Sequence, residues 1–192
     1  MTMDSDQQAK EWCQKAALGD RDAAGELLRH FHVLIFAYLR RLAVDEDSAE
    51  DLTQQTFCKV WQSISQFRGG SSVSTWMHRI AYCTYVDWVR QVRPATEQTE
   101  IWWQQISAPG PDPSQHLADA EIARQLYAFV DALPDAERQP IHLHYYQGLS
   151  LADTAKVLDV PLSTLKYRVG ATLDQLRQQL ARLSITVESL PE

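Results

Sequence analysis

Two adjacent helical patterns, separated by the break Asp159-Val160-Pro161, constrain the fold of this chain more than any other feature. Ser150 can cap the first pattern, and Pro161 ends it while permitting the next helix to begin at Leu162 or Ser163. Apolar residues recur along both patterns at three- and four-residue steps, at Leu151, Ala155, Leu158, Leu165, Val169, Leu173, Leu176 and Leu180. The spacing predicts a helix-turn-helix. By itself it fits a helix that reads DNA and a packed helical hairpin equally well.

The rest of the chain also has helical periodicity, and no segment alternates between apolar and polar residues as a half-buried strand would. The first half is predicted to be a helical bundle, with a third helix beginning near Ser48 and a fourth capped by Ser74 or Thr75. Another helix ends at Leu133-Pro134, and Asp135 is placed to cap the one that follows. We therefore expect an all-α protein.

A segment rich in proline separates two helical units. Prolines and a glycine interrupt any helix there, at Pro94, Pro109, Gly110, Pro111 and Pro113. The sequence thus predicts a helical domain over residues 1–93, a linker over 94–113, a second helical domain over 114–183 and a tail over 184–192. Within the linker, Trp102-Trp103 is expected to dock on a neighbouring domain, since two indoles are costly to leave in water.

Length and composition narrow the functional classes. With 192 residues and 45% hydrophobic content the chain is expected to be globular, and it has no apolar run long enough for a membrane span and no basic-then-apolar leader. We therefore predict a cytoplasmic protein without membrane insertion. The net charge of −7 argues against indiscriminate coating of nucleic acid. Basic residues nevertheless outnumber acids in residues 75–93 and 163–182, which fits DNA contacts supported by another anchor.

Nothing in the sequence suggests catalysis or a metal centre. The three cysteines lie far apart without a Cys-x-x-Cys pair, and we expect reduced, mostly buried thiols at Cys13, Cys58 and Cys83. His30 and His32 are two residues apart on a helix, as are His142 and His144, so their side chains diverge. There is no Ser/His/Asp constellation and no phosphate-binding glycine loop. The prediction is a protein that is not an enzyme, with no catalytic residue, cofactor, metal or small-molecule substrate.

Motifs in both predicted domains resemble those of the bacterial RNA polymerase sigma factors of the extracytoplasmic-function (ECF) class. Residues 51–61, the triplet Phe67-Arg68-Gly69 and residues 74–81 resemble sigma domain two. Leu133-Pro134, Gly148-Leu149-Ser150 and residues 164–168 resemble sigma domain four, in the same order as in the family. The resemblance implies a subunit that binds core RNA polymerase, directs it to promoter DNA and helps to open the duplex, and that is commonly held by an anti-sigma factor.

The resemblance also assigns roles to residues. It implies that the helix over residues 51–61 docks on the polymerase clamp through Asp51, Gln54, Gln55 and Lys59. It implies that the loop and helix after residue 67 bind the minus-ten region, through Arg68, Ser71, Ser72, Ser74, Trp76, Arg79 and Arg90. It implies that the start of the second helix of the helix-turn-helix reads the minus-thirty-five element, through Ser163, Thr164, Lys166, Tyr167 and Arg168.

Other interpretations of these residues stay open at this level. Polar helix positions are usually solvated, and an indole at Trp76 fits a helical core better than a stacking platform. The chain also departs from the family pattern, with Ala171 and Leu173 where arginines are frequent, Tyr167 in place of a small residue and Cys83 in place of a common asparagine. Two alternatives remain: a helix-turn-helix regulator that works without polymerase, and a decayed sigma-like protein that binds an anti-sigma factor.

Overall fold

The computed structural model of the protein describes residues 3–43, 45–92 and 126–182, and every regular element in those ranges is helical. The all-α prediction is confirmed. The elements are α1 (Met3–Ala17), α2 (Arg21–Arg40), α3 (Glu46–Ser63) with a 3₁₀ turn at Ile64–Gln66, α4 (Val73–Val92), α5 over residues 126–131, α6 (Asp135–Ile141) continuing as a π-helical turn at His142–Tyr146, α7 (Leu151–Leu158) and α8 (Leu162–Arg182). The predicted linker over 94–113, the indoles at 102 and 103 and the tail over 184–192 lie outside these ranges.

The first four helices form one bundle around a continuous apolar core. Helix α2 lies at its centre because its buried residues recur at helical spacing on the side that meets α1, α3 and α4. Burial of these side chains supplies most of the stabilisation of the bundle, at roughly 25 cal/mol per Å² of apolar surface. The largest fully buried apolar and aromatic side chains of the whole bundle are Phe31, Ile35, Tyr38, Leu39, Leu42, Leu52 and Met77.

Three predicted helix starts are wrong by one to three residues. Helix α3 begins at Glu46 because Asp45, rather than Ser48, is its N-cap: the Asp45 carboxylate accepts a hydrogen bond from the Ser48 amide at 2.7 Å. That bond lowers the pKa of Asp45. The fourth helix begins at Val73, with the Ser72 hydroxyl accepting from the Thr75 amide at 3.0 Å.

The helix α6 is also capped one residue earlier than predicted. Pro134 occupies the N-cap position, and Asp135 lies in the first turn, where it forms an ion pair with Arg138. After Pro140, whose nitrogen cannot donate, the helix widens into the π turn, closed by the Gln147 amide donating to the His142 carbonyl at 3.0 Å. The chain then reverses at Gly148, which has a φ of +68°.

The predicted helix-turn-helix is confirmed. Ser150 caps α7, accepting from the Asp153 amide at 3.1 Å, and Asp159 ends it in the left-handed conformation with a φ of 58°. Helix α8 begins at Leu162, and its apolar stripe packs on α6 and α7. Helix α7 in turn packs against α4, so the helix-turn-helix unit rests on the first bundle.

Candidate polymerase-binding and nucleic-acid-binding surfaces

The outer face of α3 presents a polar stripe. Asp51, Gln54 and Gln55 are all exposed, and the two glutamines each lie one helical turn from Asp51, while the opposite side of the helix packs into the bundle. On that packed side the hydroxyls of Thr53 and Thr56 donate to backbone carbonyls of α3, each at 2.7 Å, so these buried polar groups are satisfied within the helix. The stripe therefore faces outward with its side chains available to a partner.

Lys59 lies beside this stripe rather than on it. Its ammonium forms an ion pair with the Asp87 carboxylate of α4 at 3.2 Å, with both side chains about half exposed. Such exposed pairs contribute at most about 1 kcal/mol. The positions that continue the stripe are instead Cys58 and Gln62, both exposed. The expectation of mostly buried cysteines is thus wrong, since Cys13 is buried, Cys83 is intermediate and Cys58 is open to solvent.

The loop between α3 and α4 uses its hydroxyls in different ways. The Ser72 hydroxyl is occupied as the cap of α4 and also lies 2.7 Å from the Thr75 hydroxyl. Ser74 is buried and lies against His78, whose Nδ1 is 2.8 Å from the Ser74 carbonyl oxygen. Arg68 is exposed and Ser71 is half-buried. The Ser71 hydroxyl donates to the Ser72 carbonyl at 3.2 Å. Of the predicted loop contacts, Arg68 is therefore the best placed for a nucleotide.

Trp76 packs against Phe67 and the core at the base of this loop. Its ring centroid lies 5.0 Å from that of Phe67, and the two tilted rings pack on the core at either end of the loop. Between them, Gly69 turns the chain with a φ of +72°. This geometry agrees with Trp76 as a packed side chain that holds the loop.

Arg79 meets the helix-turn-helix unit. Its guanidinium donates from Nη1 to the Val157 carbonyl at 2.6 Å and from Nη2 to the Asp159 carboxylate at 3.3 Å. Both acceptors lie at the C-terminal end of α7. Arg90, in the last turn of the same helix, is exposed. The two arginines of α4 that were predicted for the minus-ten region therefore differ, because Arg79 is engaged inside the molecule and Arg90 faces solvent.

A polar cleft of about 400 Å³ separates the start of α4 from the start of α7. Ser72, Ser74 and Thr75 line one side, and residues 147–150 with Asp153 line the other. Burial acts to raise the pKa of Asp153, but hydrogen bonds from Ser150 and Lys156 outweigh it and hold the pKa below its usual value. The carboxylate facing Thr75 is therefore ionised. Sequence reasoning missed this cleft because its two sides are far apart in the chain.

A second set of contacts joins the two units at the C-terminal end of α2. The Arg41 guanidinium lies over the ring of Tyr146, 4.3 Å from the centroid, and 5.2 Å from that of Tyr127. Close by, His142 is fully buried, and burial together with the charges of Arg138 and Arg41 lowers the pKa of His142 to about 3. Its Nε2 lies 3.7 Å from the Asp131 carboxylate, too far for a hydrogen bond, so this histidine is neutral.

The first turns of α8 present the residues predicted to read DNA. Ser163, Lys166 and Tyr167 are exposed, and the Tyr167 side chain, at 77%, is among the most exposed large side chains of the described ranges. Thr164 and Arg168 are half-buried at the edge of this face. The remaining positions of this turn pack inward, at Leu165, Val169 and Thr172.

The positions where the family frequently has arginine do not share one environment. Leu173 packs against the core, while Ala171 is half-buried beside the exposed face. Gly170 lies on that face, and a Cβ atom added there would meet nothing within 4 Å. Two charges, those of Lys166 and Arg168, thus dominate the first turns of α8. Among the described residues, no group of three or more His, Cys, Asp or Glu side chains is arranged to hold a metal ion, and no helix is long and apolar enough to cross a membrane.

Comparisons with known proteins agree with this architecture. The family model for Sigma-70 region 2 matches residues 27–94, and that for Sigma-70, region 4 matches residues 129–178. The chain is 32% identical to the ECF RNA polymerase sigma factor SigE of Mycolicibacterium smegmatis over 172 residues, which span 88% of this chain and 66% of that protein. It is 31% identical to the RNA polymerase sigma factor YlaC of Bacillus subtilis over 165 residues, which span 84% of this chain and 92% of that protein.

The fold also matches a solved structure. CnrH in complex with the cytosolic domain of CnrY superposes with a TM-score of 0.65 at 21% identity, over 91% of this chain and 98% of that one. At this identity the likeness concerns the fold alone. The two helical units of this chain thus occur together, in the same order, in a protein of known structure.

Proposed function

Because this chain belongs to the ECF RNA polymerase sigma factors, we propose that it binds core polymerase through the outer face of α3 and reads promoter DNA through α4, its loop and α8. The observation that carries this assignment is the stripe of Asp51, Gln54 and Gln55, exposed on a helix whose other sides are packed. A polar stripe on a rigid helix suits docking on a partner helix, since the side chains are already aligned along one line.

The DNA contacts divide between the two domains. Arg68 and Ser71 would meet an unstacked base and its phosphate beside the loop, and Arg79 and Arg90 would meet phosphates along α4. The exposed start of α8 would enter the major groove at the minus-thirty-five element, with Lys166 among its cations. The contacts to the two promoter elements are each weak alone. Their combined affinity for DNA is higher when one protein holds both at a fixed separation.

An anti-sigma factor is the second proposed partner. The structurally similar CnrH was solved in complex with the cytosolic domain of CnrY. We propose that this chain, too, is held by a protein that covers its polymerase-binding or DNA-binding face. As transcription initiation factors, sigma factors direct the polymerase, and we propose that this chain performs no bond chemistry of its own and acts in the cytoplasm, where polymerase and chromosome meet.

Two other functions predict different behaviour. A helix-turn-helix regulator that works alone would bind duplex DNA without needing the α3 stripe. A decayed sigma-like protein would bind an inhibitor and polymerase without starting transcripts. The α3 stripe argues against the first, and the exposed Lys166 and Tyr167 on α8 argue against the second.

Run-off transcription distinguishes these functions. The full chain is added to core polymerase with promoters selected in vitro, and transcripts that depend on the chain are expected. Core binding without transcripts would support the decayed protein, and DNA binding without core binding would support the free regulator.

A matched pair of variants tests the polymerase face. Asp51→Lys with Gln54→Ala should weaken core binding at least tenfold, as expected when a central interface contact is replaced by a repulsive charge. The control is Glu11→Lys with Gln14→Ala, the same spacing and the same chemistry on exposed positions of α1. Equal core affinity of the two variants would show that the α3 stripe is not the interface.

A further inference from the structure

Helix α1 contacts both ends of the loop between α3 and α4. It packs against the 3₁₀ turn at Ile64–Gln66, which precedes the loop, and against α4, which follows it. Small buried side chains on the inner side of α1 let this helix lie close to the core, at Ala9, Cys13 and Ala16. Helix α1 also precedes residues 27–94, which match Sigma-70 region 2. The loop over residues 67–72 is therefore supported by a helix outside that match.

A hydrogen bond from a backbone amide to a carboxylate joins α1 to the end of the loop. The Val73 amide, at the first position of α4, donates to Oδ1 of Asp6 at 3.1 Å. The Oδ2 atom of Asp6 forms an ion pair with the Lys10 ammonium, one turn further along α1, at 2.8 Å. Both oxygens of this partly buried carboxylate are thus engaged, and its position is fixed from two sides.

Asp6 completes the cap of α4. The first amides of a helix have no partner within the helix, and one capping side chain satisfies only some of them. The Ser72 hydroxyl accepts from the Thr75 amide, and Asp6 accepts from the Val73 amide. Because Val73 is fully buried, its amide depends on Asp6 for a hydrogen bond. The negative charge of Asp6 also suits the positive end of the helix dipole.

The loop that is held in this way contains Arg68, the loop side chain best placed for a nucleotide. The loop leaves Phe67, which packs on Trp76, and it ends at Val73, which is bonded to Asp6. A loop that is already ordered loses less free energy on binding than one that must be ordered by its ligand. Fixing the junction of the loop and α4 therefore strengthens DNA binding, although Asp6 itself contacts no DNA.

We propose that Asp6 of α1 is a positioning residue for the minus-ten strand: through the Val73 amide it fixes the junction of the loop and α4 in the conformation that binds DNA. This inference rests on the proposed role of the loop in binding promoter DNA. A carboxylate at a helix N-terminus could also act in the opposite way, by competing with a phosphate for that position. Its removal would then strengthen DNA binding, so the sign of the effect distinguishes the two roles.

The test uses the full chain assembled with core polymerase, and a forked DNA whose single strand carries the minus-ten region of a promoter selected in vitro. Fluorescence anisotropy measures the affinity for this DNA. Asp6→Ala should weaken binding about fivefold, the loss expected when one helix cap no longer supports the bound conformation. Asp6→Asn, which keeps an acceptor oxygen for the Val73 amide, should stay within about twofold of wild type.

The matched control is Asp20→Ala. Asp20 caps α2 of the same bundle, accepting from the Asp22 and Ala23 amides at 3.0 Å each, and lies beyond the other end of α1. This variant should shift the midpoint of urea unfolding in the same direction as Asp6→Ala and leave the affinity for the forked DNA unchanged.

Hydrogen exchange in the free chain gives a second readout. Asp6→Ala should speed exchange over residues 67–76, while α2 and α3 keep their protection, because the lost hydrogen bond holds only the junction of the loop and α4. Asp20→Ala should leave exchange over residues 67–76 unchanged. A general loss of stability would instead speed exchange in all four helices of the bundle.

Any of four results would overturn the positioning role: unchanged or stronger DNA binding by Asp6→Ala, an equal loss in Asp6→Asn, an equal loss in Asp20→Ala, or faster exchange throughout the bundle. If the wild-type complex binds the forked DNA while one of these results appears, only the positioning is wrong. If the wild type fails to bind core polymerase, or the complex fails to bind the fork, the proposed function is wrong, and the positioning is overturned with it.

Discussion

The hydroxyl of Tyr38 donates a hydrogen bond of 2.6 Å to Oε1 of Gln139, joining two buried side chains that lie 101 residues apart and in different domains. Burial raises the pKa of Tyr38 well above its usual value, so the phenol remains a donor at any pH at which the protein is folded. Gln139 Nε2 has no hydrogen-bond partner among the described residues. The Tyr38 hydroxyl is therefore the polar contact that makes burial of the Gln139 amide tolerable.

Tyr38→Phe should lower the free energy of unfolding by about 1–3 kcal/mol, because it leaves the buried Gln139 oxygen unsatisfied while changing little in packing. Urea titration followed by circular dichroism measures the change. Tyr145→Phe, which removes the hydroxyl of a side chain that is 53% exposed, should stay within about 0.5 kcal/mol of wild type. Equal stability of the two variants would mean that the hydrogen bond contributes nothing.

Stability should fall as the pH drops below about 6.5, because His142 is buried in its neutral form. Its pKa is about 3 in the folded protein, since burial and the neighbouring charges of Arg138 and Arg41 disfavour the imidazolium, whereas the unfolded chain takes up a proton near pH 6.5. Between these values the unfolded state binds more protons, so acid favours it. His78, also lowered mainly by burial, acts in the same direction, and Asp131, raised by burial, opposes it at lower pH.

His142→Gln isolates this contribution. Removing one histidine of this kind should reduce the loss of unfolding free energy between pH 7 and pH 5 by about 2 kcal/mol. Urea titrations of both proteins at a series of pH values measure it. Parallel stability curves for variant and wild type would show that His142 does not titrate differently in the two states.

Alkylation of the cysteines should report on the α3 face. Cys58 is exposed and should react with iodoacetamide, whereas Cys13 should resist, because burial and then the charge of Asp6 raise the pKa of its thiol to about 11. Core polymerase should slow modification of Cys58 at least tenfold if the α3 stripe is the interface. Peptide mass spectrometry measures the rates, with Cys83 of α4 as the internal reference. An unchanged Cys58 rate would place the interface elsewhere.

Lys166→Ala should weaken promoter binding by the assembled polymerase several-fold and reduce the slope of affinity against salt by about one, as expected for loss of one phosphate contact. The exposed ammonium at the start of α8 has the position for that contact. Lys15→Ala, the same substitution on an exposed position of α1, is the control and should leave both quantities unchanged. Fluorescence anisotropy at several salt concentrations measures them. Identical slopes for the two variants would remove Lys166 from the DNA interface.

Two glycines should respond oppositely to the same substitution. A Cβ atom at Gly170 or at Gly148 would meet nothing within 4 Å, but only Gly148 has a positive φ, at +68°. Gly170→Ala should therefore stabilise the chain by about 0.5–1 kcal/mol through helix propensity, and Gly148→Ala should destabilise it by about 1 kcal/mol through backbone strain. Thermal unfolding measures both, and a shift of the same sign in the two variants would contradict this account.

Local sequence patterns were sufficient to predict the helices and their order along the chain. Periodic apolar residues, Ser150 and Pro161 predicted the helix-turn-helix, whereas Asp51, Gln54 and Gln55 were assigned to a binding helix by the resemblance to sigma domain two. Helix starts were less accurate, because several neighbouring side chains offer a capping oxygen and only backbone geometry selects among them. Asp45 was missed for that reason, although it stands just before the acids of the first turn.

The sequence by itself determined an all-α chain with two helical units, since helix periodicity, caps and breaks are properties of residues close together in the chain. Only the tertiary structure decided which of the predicted binding residues are free. Ser74 is buried, Lys59 is paired with Asp87, and Arg79 is held by Val157 and Asp159. Each of these outcomes depends on how one helix is turned against another, through contacts between elements that local patterns cannot relate.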